Sequence, residues 1–398
     1  MACVKPATPP LPTTSRSAAS SPPSGTSSRP TDPAPNPIHT PPRPRPAHRG
    51  GPMRARRKEP AVMSDDFLPR AAAPATAARP APSWAKKPPP KPKARPTGKI
   101  TARRYAAPRD PHEHARKIAE NVLDAWYQSF GGSSIDVPLG TVAGLSLLRN
   151  VPGLADWVLN LQPEQLPQLL KEIYLGHWIK RPDLINRAIR LHDWAWNPDP
   201  DKQQLRAVHA VTRAAINTGL MDLTGHDDPW QRSEADVLSP LLTGLRHKSD
   251  KKWRGEYHTP SCVTDLLANM TVDKDLAKPG MSFREPAVGS GTMFRSVAQR
   301  LRDLGLNPHD FHWYGNDIDS LSAGCAAVNA IIWDLGPRCL IGCADSLAPE
   351  DDYAKTRAEA KEAFEQRDRY MDTARTIIAH RSALALLDEL MPSKENAA

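Results

Sequence analysis

Several things are scarce in this sequence, and each scarcity excludes something. Aromatic residues make up only 6% of its 398 residues. Cysteines number five (Cys3, Cys262, Cys325, Cys339 and Cys343), an odd and scattered set that offers no disulfide framework. Cys339 and Cys343 are four residues apart in an expected strand, on one face. A zinc site would need two more soft or imidazole ligands close by, and the sequence provides none. Free thiols in a reducing cytoplasm are the expected state, with no metal. No apolar run approaches the ~20 residues that a membrane span requires. The N-terminus lacks the apolar core of a signal peptide. Membrane and disulfide-stapled secreted classes are therefore set aside, and the expected location is cytoplasmic.

Acidic residues are nearly missing from the beginning of the chain. Residues 1–104 hold 20 Lys and Arg against 4 Asp and Glu, a local charge of +16. The remaining 294 residues hold 33 basic and 40 acidic side chains, a charge of −7, so the formal +9 of the whole chain comes from this arm. The arm also carries 25 of the 43 prolines, in runs such as PPRPRP (41–46) and KKPPPKPKARP (86–96). Proline fixes φ and donates no hydrogen bond, and so little apolar surface cannot offset the entropy of ordering. Residues 1–105 are expected to be a disordered Pro/Ala/Arg/Lys-rich arm. Its charge suits non-specific contact with DNA. MSDDF at 63–67 reads as an alternative natural start, which would make part of the arm a start-site artefact.

From about 108 the apolar spacing becomes helical. Residues 111–130 set Ile118, Val122, Leu123, Trp126 and Phe130 on one stripe. Further helices are expected at 162–180 and 183–194, split at Pro182, and at 202–220 and 234–247, with a turn at WNPDP (196–200). Nothing in 108–250 has the alternation of strands. The expectation is an all-helical domain over 106–250, with Trp126, Trp157, Trp178, Trp194 and Trp196 in its core.

The pattern then changes. YHTPSCVTDLLANM (257–270) reads as a helix with Thr259 as N-cap and Pro260 as its first residue. Strands are expected at 281–286, 311–317 and 338–346. Helices are expected between them, at 290–305 and 320–336, each ending at a glycine. Alternation of this kind gives a parallel sheet with right-handed crossovers. The tail, 349–398, is charged, alanine-rich and helical.

The chemistry-bearing signals lie at the strand ends. EPAVGSG (285–291) puts two glycines where a strand turns into a helix, so the backbone can bend sharply and approach a ligand without a Cβ clash. The helix that follows presents free N–H groups and a positive dipole end. YGNDID (314–319) puts Asp317 at the end of the next strand, where nucleotide-binding sheets place an acid for ribose hydroxyls. CADS (343–346) puts Asp345 at the end of the third. Each alone is as compatible with an ordinary turn or helix cap as with a ligand. Three acids at three consecutive strand ends, behind a Thr-Pro helix, are a pattern.

HTPSCVTDLL, EPAVGSGTMF, GNDIDSLSAGCAAVNAIIWDLG and GCADSL together resemble the S-adenosylmethionine-binding half of the N6-adenine DNA methyltransferases. The likeness is to the modification (methylase) subunit of type I restriction-modification systems. ADVLSPLLTGLRHKSDKKWRGEYHTP (235–260) is similar to the segment that joins the helical and catalytic domains there. The resemblance implies a partial class I S-adenosylmethionine-dependent methyltransferase (Rossmann-like) parallel sheet over 251–348, an α/β fold preceded by the helical domain. It also implies roles. Thr259 and Pro260 lie against the methionine part of the cofactor, with Glu285, Pro286, Gly289 and Gly291 forming the loop beneath it. Asp317 binds the ribose hydroxyls, Ile318 lies beside the adenine, and Asp345 accepts from the adenine amine.

The resemblance stops short of catalysis. The family's Asn-Pro-Pro-Tyr or Phe motif holds and stacks the flipped adenine. It is absent from these 398 residues. NPIH (36–39) and NPDP (197–200) precede the glycine loop and lack the aromatic residue, so they read as linker and turn, and no catalytic residue is assigned. Strands four to seven are not expected either, and TIIAH (376–380) is a poor strand candidate in a helical pattern. The chain reads as truncated before that motif. The edge of strand one would then have to be covered by the tail helices or by a partner. Three readings follow: a cofactor-binding chain whose base-binding half comes from a partner, a non-catalytic nucleic-acid-binding or assembly factor, and a methyltransferase with a different base-holding motif.

Overall fold

A computed structural model describes residues 102, 105–132, 134–246, 259–349 and 351–390, all within one compact unit, Val62–Ala398. The expected arm, apart from residues 102 and 105, and the stretch 247–258 lie outside the described residues.

The helical region begins with α1, Pro111–Ser129. Asp110 caps it, its side chain accepting from His112 N, and Pro111 occupies the first turn where no N–H is needed. Ile118, Val122 and Trp126 fall on one face and are fully buried, each contributing about 1.5–3 kcal/mol on transfer from water. After it come α2 (Asp136–Ser146), α3 (Leu154–Leu159), α4 (Leu166–Trp178), α5 (Pro182–Arg187), α6 (Ile189–His192), α7 (Lys202–Asn217), α8 (Leu220–Thr224), α9 (Pro229–Arg232) and α10 (Leu238–Leu245). No residue between 108 and 246 that is described lies in a strand.

The apolar spacing marks no helix at 136–146, yet α2 lies buried within this region. Every residue from Val137 to Ser146 is buried. A helix apolar all round has no amphipathic period, so periodicity does not find it. What makes it possible is size: a Cβ on Gly140 would lie 1.5 Å from Leu191 O, so α6 sits directly on the α2 backbone. The tryptophans correct another expectation. Trp126 is core and Trp178 and Trp194 are half-buried, but Trp157 and Trp196 are largely exposed.

Beyond 258 come α11 (Ser261–Thr271), β1 (Ser282–Glu285), α12 (Thr292–Asp303), β2 (His312–Asp317), α13 (Ser320–Ile332), β3 (Cys339–Cys343) and α14 (Asp352–Leu390). The three strands are parallel in the order β1-β2-β3. This is a helix-rich, partial Rossmann-like sheet. The strands are shorter than expected. β3 ends at Cys343, so Asp345 lies in the loop beyond it and not in the strand. The cap of α11 is also displaced by one residue: Pro260 holds the N-cap position and Thr259 precedes it, with no side-chain cap bond.

On one face of the sheet the Phe283 and Trp313 rings lie tilted to each other at 4.9 Å, with Phe294 of α12 edge-on to Trp313 at 5.3 Å. α13 covers the rest of this face. It too is made of small residues and is buried almost all round, packing also against α5 and α6. One continuous hydrophobic core therefore runs from α1 to β3. On the opposite face, Tyr314 and Leu340 are covered by Tyr353 and Ala360 of α14, and Arg284 lies 5.1 Å over the Tyr353 ring. The tail helix thus packs on a sheet face, against Tyr314, Leu340 and β3; of the two covers expected for the β1 edge, the tail and a partner, the tail lies elsewhere. TIIAH is part of that helix.

The two edges differ. On β3, the outward carbonyls of Cys339 and Ile341 accept from Arg181 and Arg187, at 2.6 and 2.9 Å. Arg181 is held in turn by Asp183. On β1, the carbonyl of Met281 accepts from His312 N, so alternation turns the backbone groups of Ser282 and Arg284 away from β2. No described strand pairs with them.

Gly140→Ala should be strongly destabilising, by about 3 kcal/mol or more, since an added methyl meets backbone and not a mobile side chain. Thermal unfolding of this variant, with Gly176→Ala as a control at a site with open space, checks it. The control is expected to leave the unfolding temperature unchanged or slightly raised.

Candidate functional site

The carboxyl ends of the three strands meet around the glycine loop. Val288 N donates to Asn316 O and Gly291 N to Val288 O, both at 2.8 Å, closing a tight turn between β1 and α12. Gly289 and Gly291 have φ of +56° and +93°, a region that side chains with a Cβ rarely enter. Gly289 N donates to Asp317 Oδ2 at 2.8 Å, and Asp319 N donates to Oδ1 at 2.9 Å. The acid at the end of β2 therefore holds the loop of β1. Each of its oxygens retains a lone pair, because an ionised carboxylate accepts about four hydrogen bonds.

The loop after β3 is tied in by residues that the sequence reading did not single out. Asn316 Nδ2 donates to Ala344 O and Ser346 Oγ, and Ser346 Oγ donates to Pro286 O at 2.6 Å. These bonds stitch all three strand ends together. Asn316 stands one residue before Asp317 and Ser346 one after Asp345, so nearness to the acids is the signal that could have found them. Glu285 is half-buried and accepts from Ala287 N. Asp345 is exposed and accepts from Leu347 N. Ile318 and Leu347 stand in solvent beside these acids at 73% and 95% exposure.

Thus Glu285, Pro286, Gly289, Gly291, Asp317, Ile318 and Asp345 gather at one sheet edge. Thr259 and Pro260 are exposed and lead into α11, which packs on α12. Ser290, between the glycines, is buried and points inward, so it is not an exposed nucleophile.

Residues 240–363 match the N-6 DNA methylase family model. Over this segment the chain is similar to the N-6 DNA methylases. The match covers a little under a third of the chain and includes the glycine loop, all three strands and the start of α14. A solved structure, the type I restriction-modification system methyltransferase subunit from Streptococcus thermophilus, aligns at 14% identity and a TM-score of 0.34. The alignment covers 60% of this chain and 59% of that one. No curated protein matches the chain.

The strand ends have a chemistry suited to a cationic, hydrogen-bond-donating ligand. Carboxylates follow or end all three strands, Asp317 holds Gly289, whose Cβ position has no neighbour within 4 Å, and the exposed aliphatic side chains Ile318 and Leu347 adjoin Asp317 and Asp345 in the chain. Burial pushes the Cys339 thiol up to about 12, and burial also raises Cys343. Neither is poised to ionise. Among the described residues no group of His, Cys, Asp and Glu is placed to hold a metal, and no helix is long and apolar enough to cross a membrane.

α11 is pinned by Asp265. Burial alone would raise its pKa, but His112 of α1, Arg295 and Ser296 of α12 bond to it and hold it at about 2. A depressed carboxylate stabilises the fold above its unfolded value, near 3.9, and that contribution is lost as pH falls towards 2. With partial exposure allowed for, Asp265→Asn should cost about 1–2 kcal/mol at pH 7 and little at pH 2. Denaturant unfolding of both proteins across that pH range tests this; an equal gap at both ends would refute it.

Proposed function

We propose that the chain binds S-adenosylmethionine at the carboxyl edge of its sheet and takes part in N6-adenine methylation of DNA, with a partner chain supplying the half that holds the base. The observation that carries this reading is the Asp317 carboxylate gripping Gly289 N, with Glu285 and Asp345 at the flanking strand ends. When bound, the cofactor supplies an electrophilic methyl group. Its amino group, ribose diol and adenine amine are donors, matched by three acids. Asp317 would accept from the ribose hydroxyls, Ile318 would lie against the adenine, and Asp345 would accept its amine. Glu285, Pro286, Gly289 and Gly291 would cradle the methionine part, with Thr259 and Pro260 against it.

Two features support a partner. The N–H and C=O groups of Ser282 and Arg284 face away from β2 on an edge with which no described strand pairs. α11 exposes Val263, Leu266, Leu267 and Met270, a cluster of apolar side chains on the helix preceding that strand. The basic arm is proposed to add sequence-independent contact with DNA. The proposed division is an arm over 1–105, a helical domain over 106–250, the cofactor-binding half over 251–348 and the tail, in a cytoplasmic protein. A second reading is a non-catalytic nucleic-acid-binding or assembly factor, favoured by the absence of an Asn-Pro-Pro-Tyr or Phe motif from these residues.

Calorimetric titration of the full chain with S-adenosylmethionine separates the two. Saturable binding, weakened at least ~30-fold (about 2 kcal/mol) in Asp317→Ala, is the expected result, since a charge-assisted hydrogen bond contributes about 1.5–3 kcal/mol. A folded chain that shows no binding would leave the assembly reading. DNA affinity is expected to fall steeply with salt, and deletion of 1–105 should flatten the slope of log affinity against log salt. An unchanged slope would remove the arm from the DNA contact.

A further inference from the structure

The glycine loop is held from outside the sheet as well as from within it. Ser290 Oγ donates to Asp236 Oδ2 at 2.6 Å, and Thr292 Oγ1 donates to the same oxygen at 2.9 Å. The other oxygen, Oδ1, accepts from Leu238 N at 2.9 Å and Ser239 N at 3.1 Å, where it caps the start of α10. It also accepts from Asn329 Nδ2 at 3.0 Å, and that amide donates in addition to Ser290 O at 2.9 Å. Asp236, Ser290 and Asn329 are 4%, 2% and 2% exposed. One buried carboxylate therefore takes five hydrogen bonds and joins three elements: α10, the glycine loop and α13.

The division of labour between its oxygens is informative. Capping a helix needs one oxygen, and Oδ1 does that. Oδ2 accepts only the two loop hydroxyls. A second carboxylate oxygen buried for that purpose alone carries a desolvation cost, and hydrogen bonding to the charged group is what offsets it. The loop needs such a hold. Two of its residues are in left-handed conformations, and Gly289 N donates to Asp317, the acid assigned above to the ribose.

We propose that Asp236 is a positioning residue: through Ser290, Thr292 and Asn329 it fixes the glycine loop in its ligand-ready shape, so that cofactor affinity depends on a residue of the helical region that never touches the cofactor. This rests in part on the cofactor reading above. The hold on the loop is a separate physical claim and is testable without any ligand.

The experiment uses four full-length proteins: wild type, Asp236→Ser, the double variant Ser290→Ala/Thr292→Val, and Leu242→Ala. Serine at 236 can still cap α10 but cannot reach the loop. The double variant cuts the same contacts from the loop side. Leu242 is a fully buried core residue of α10, and its truncation costs stability without touching the loop. Hydrogen exchange of the amides of 288–292 is measured first. It should be at least 10-fold faster in Asp236→Ser and in the double variant, with exchange in β2 (312–317) unchanged, and should stay at the wild-type rate in Leu242→Ala. S-adenosylmethionine titration should then show the first two weakened at least 10-fold and Leu242→Ala unweakened. Should Asp236→Ser not fold, the double variant carries the same test. Unchanged loop exchange in the clamp variants, or an equal rise in Leu242→Ala, would overturn the proposal. If wild type binds no S-adenosylmethionine, the cofactor reading fails, and the exchange result alone decides whether Asp236 holds the loop.

Discussion

Much of this molecule depends on two helices that are buried on nearly every side. α2 and α13 are built from small residues, and backbones approach them to within contact distance. Such approach excludes water completely and leaves side chains no freedom to adjust, so a change of one methyl is felt by whole elements. α13 has the sheet on one side and α5 and α6 on another. The helical region is therefore not an appendage: it closes the core against which β2 and β3 are laid down. The buried pair of Arg246 with Asp319, the residue that caps α13, adds a fixed polar tie at the same junction. There burial raises the pKa of Asp319, while the Ser322 N–H and Arg246 outweigh it and leave the carboxyl below its usual range.

That rigidity has a bearing on the strand ends. Three acids stand at the carboxyl ends of the strands, and backbone donors orient each of them. Asp317 is held by two backbone N–H groups, Glu285 and Asp345 by one each. The arrangement keeps negative charge facing a space bordered by glycine and two aliphatic side chains. A ligand with a positive centre and several donors gains from all three acids at once, whereas an anion meets nothing favourable beyond the start of α12. Under the proposed reading, the sign of the edge would contribute to selectivity as much as its shape.

The legibility of the sequence was uneven, for reasons that residues explain. The three parallel strands, the two glycine-ended helices between them and the long tail helix follow from period and punctuation, and they stand where alternation put them. The gathering of Gly289 with Asp317 could be read from strand-end logic. α2 could not, because LGTVAGLS has no polar face to mark its period. Trp157 and Trp196 went astray because size was taken for burial; a single helix has two sides, and a large ring can lie on the outer one. Asp236 was out of reach because its partners are 54 and 93 residues away, and nothing local distinguishes it from a plain helix cap. The side on which α14 packs was equally hidden. A charged, alanine-rich helix carries little hint of which surface it will choose; Tyr353, Thr356, Ala360 and Ala363 mark the side that packs.

The contrast between the two sheet edges gives the sheet a direction of growth. Arg181 and Arg187 occupy the outward carbonyls of β3, so a foreign strand arriving there would have to displace two guanidinium groups anchored in α5. β1 carries no proline, bulge or covering side-chain donor of that kind. Extension of the sheet by another strand, in a crowded or half-folded population, is therefore less hindered on the β1 side than on the β3 side. Among the described residues, that asymmetry makes β1 a point of exposure to self-association.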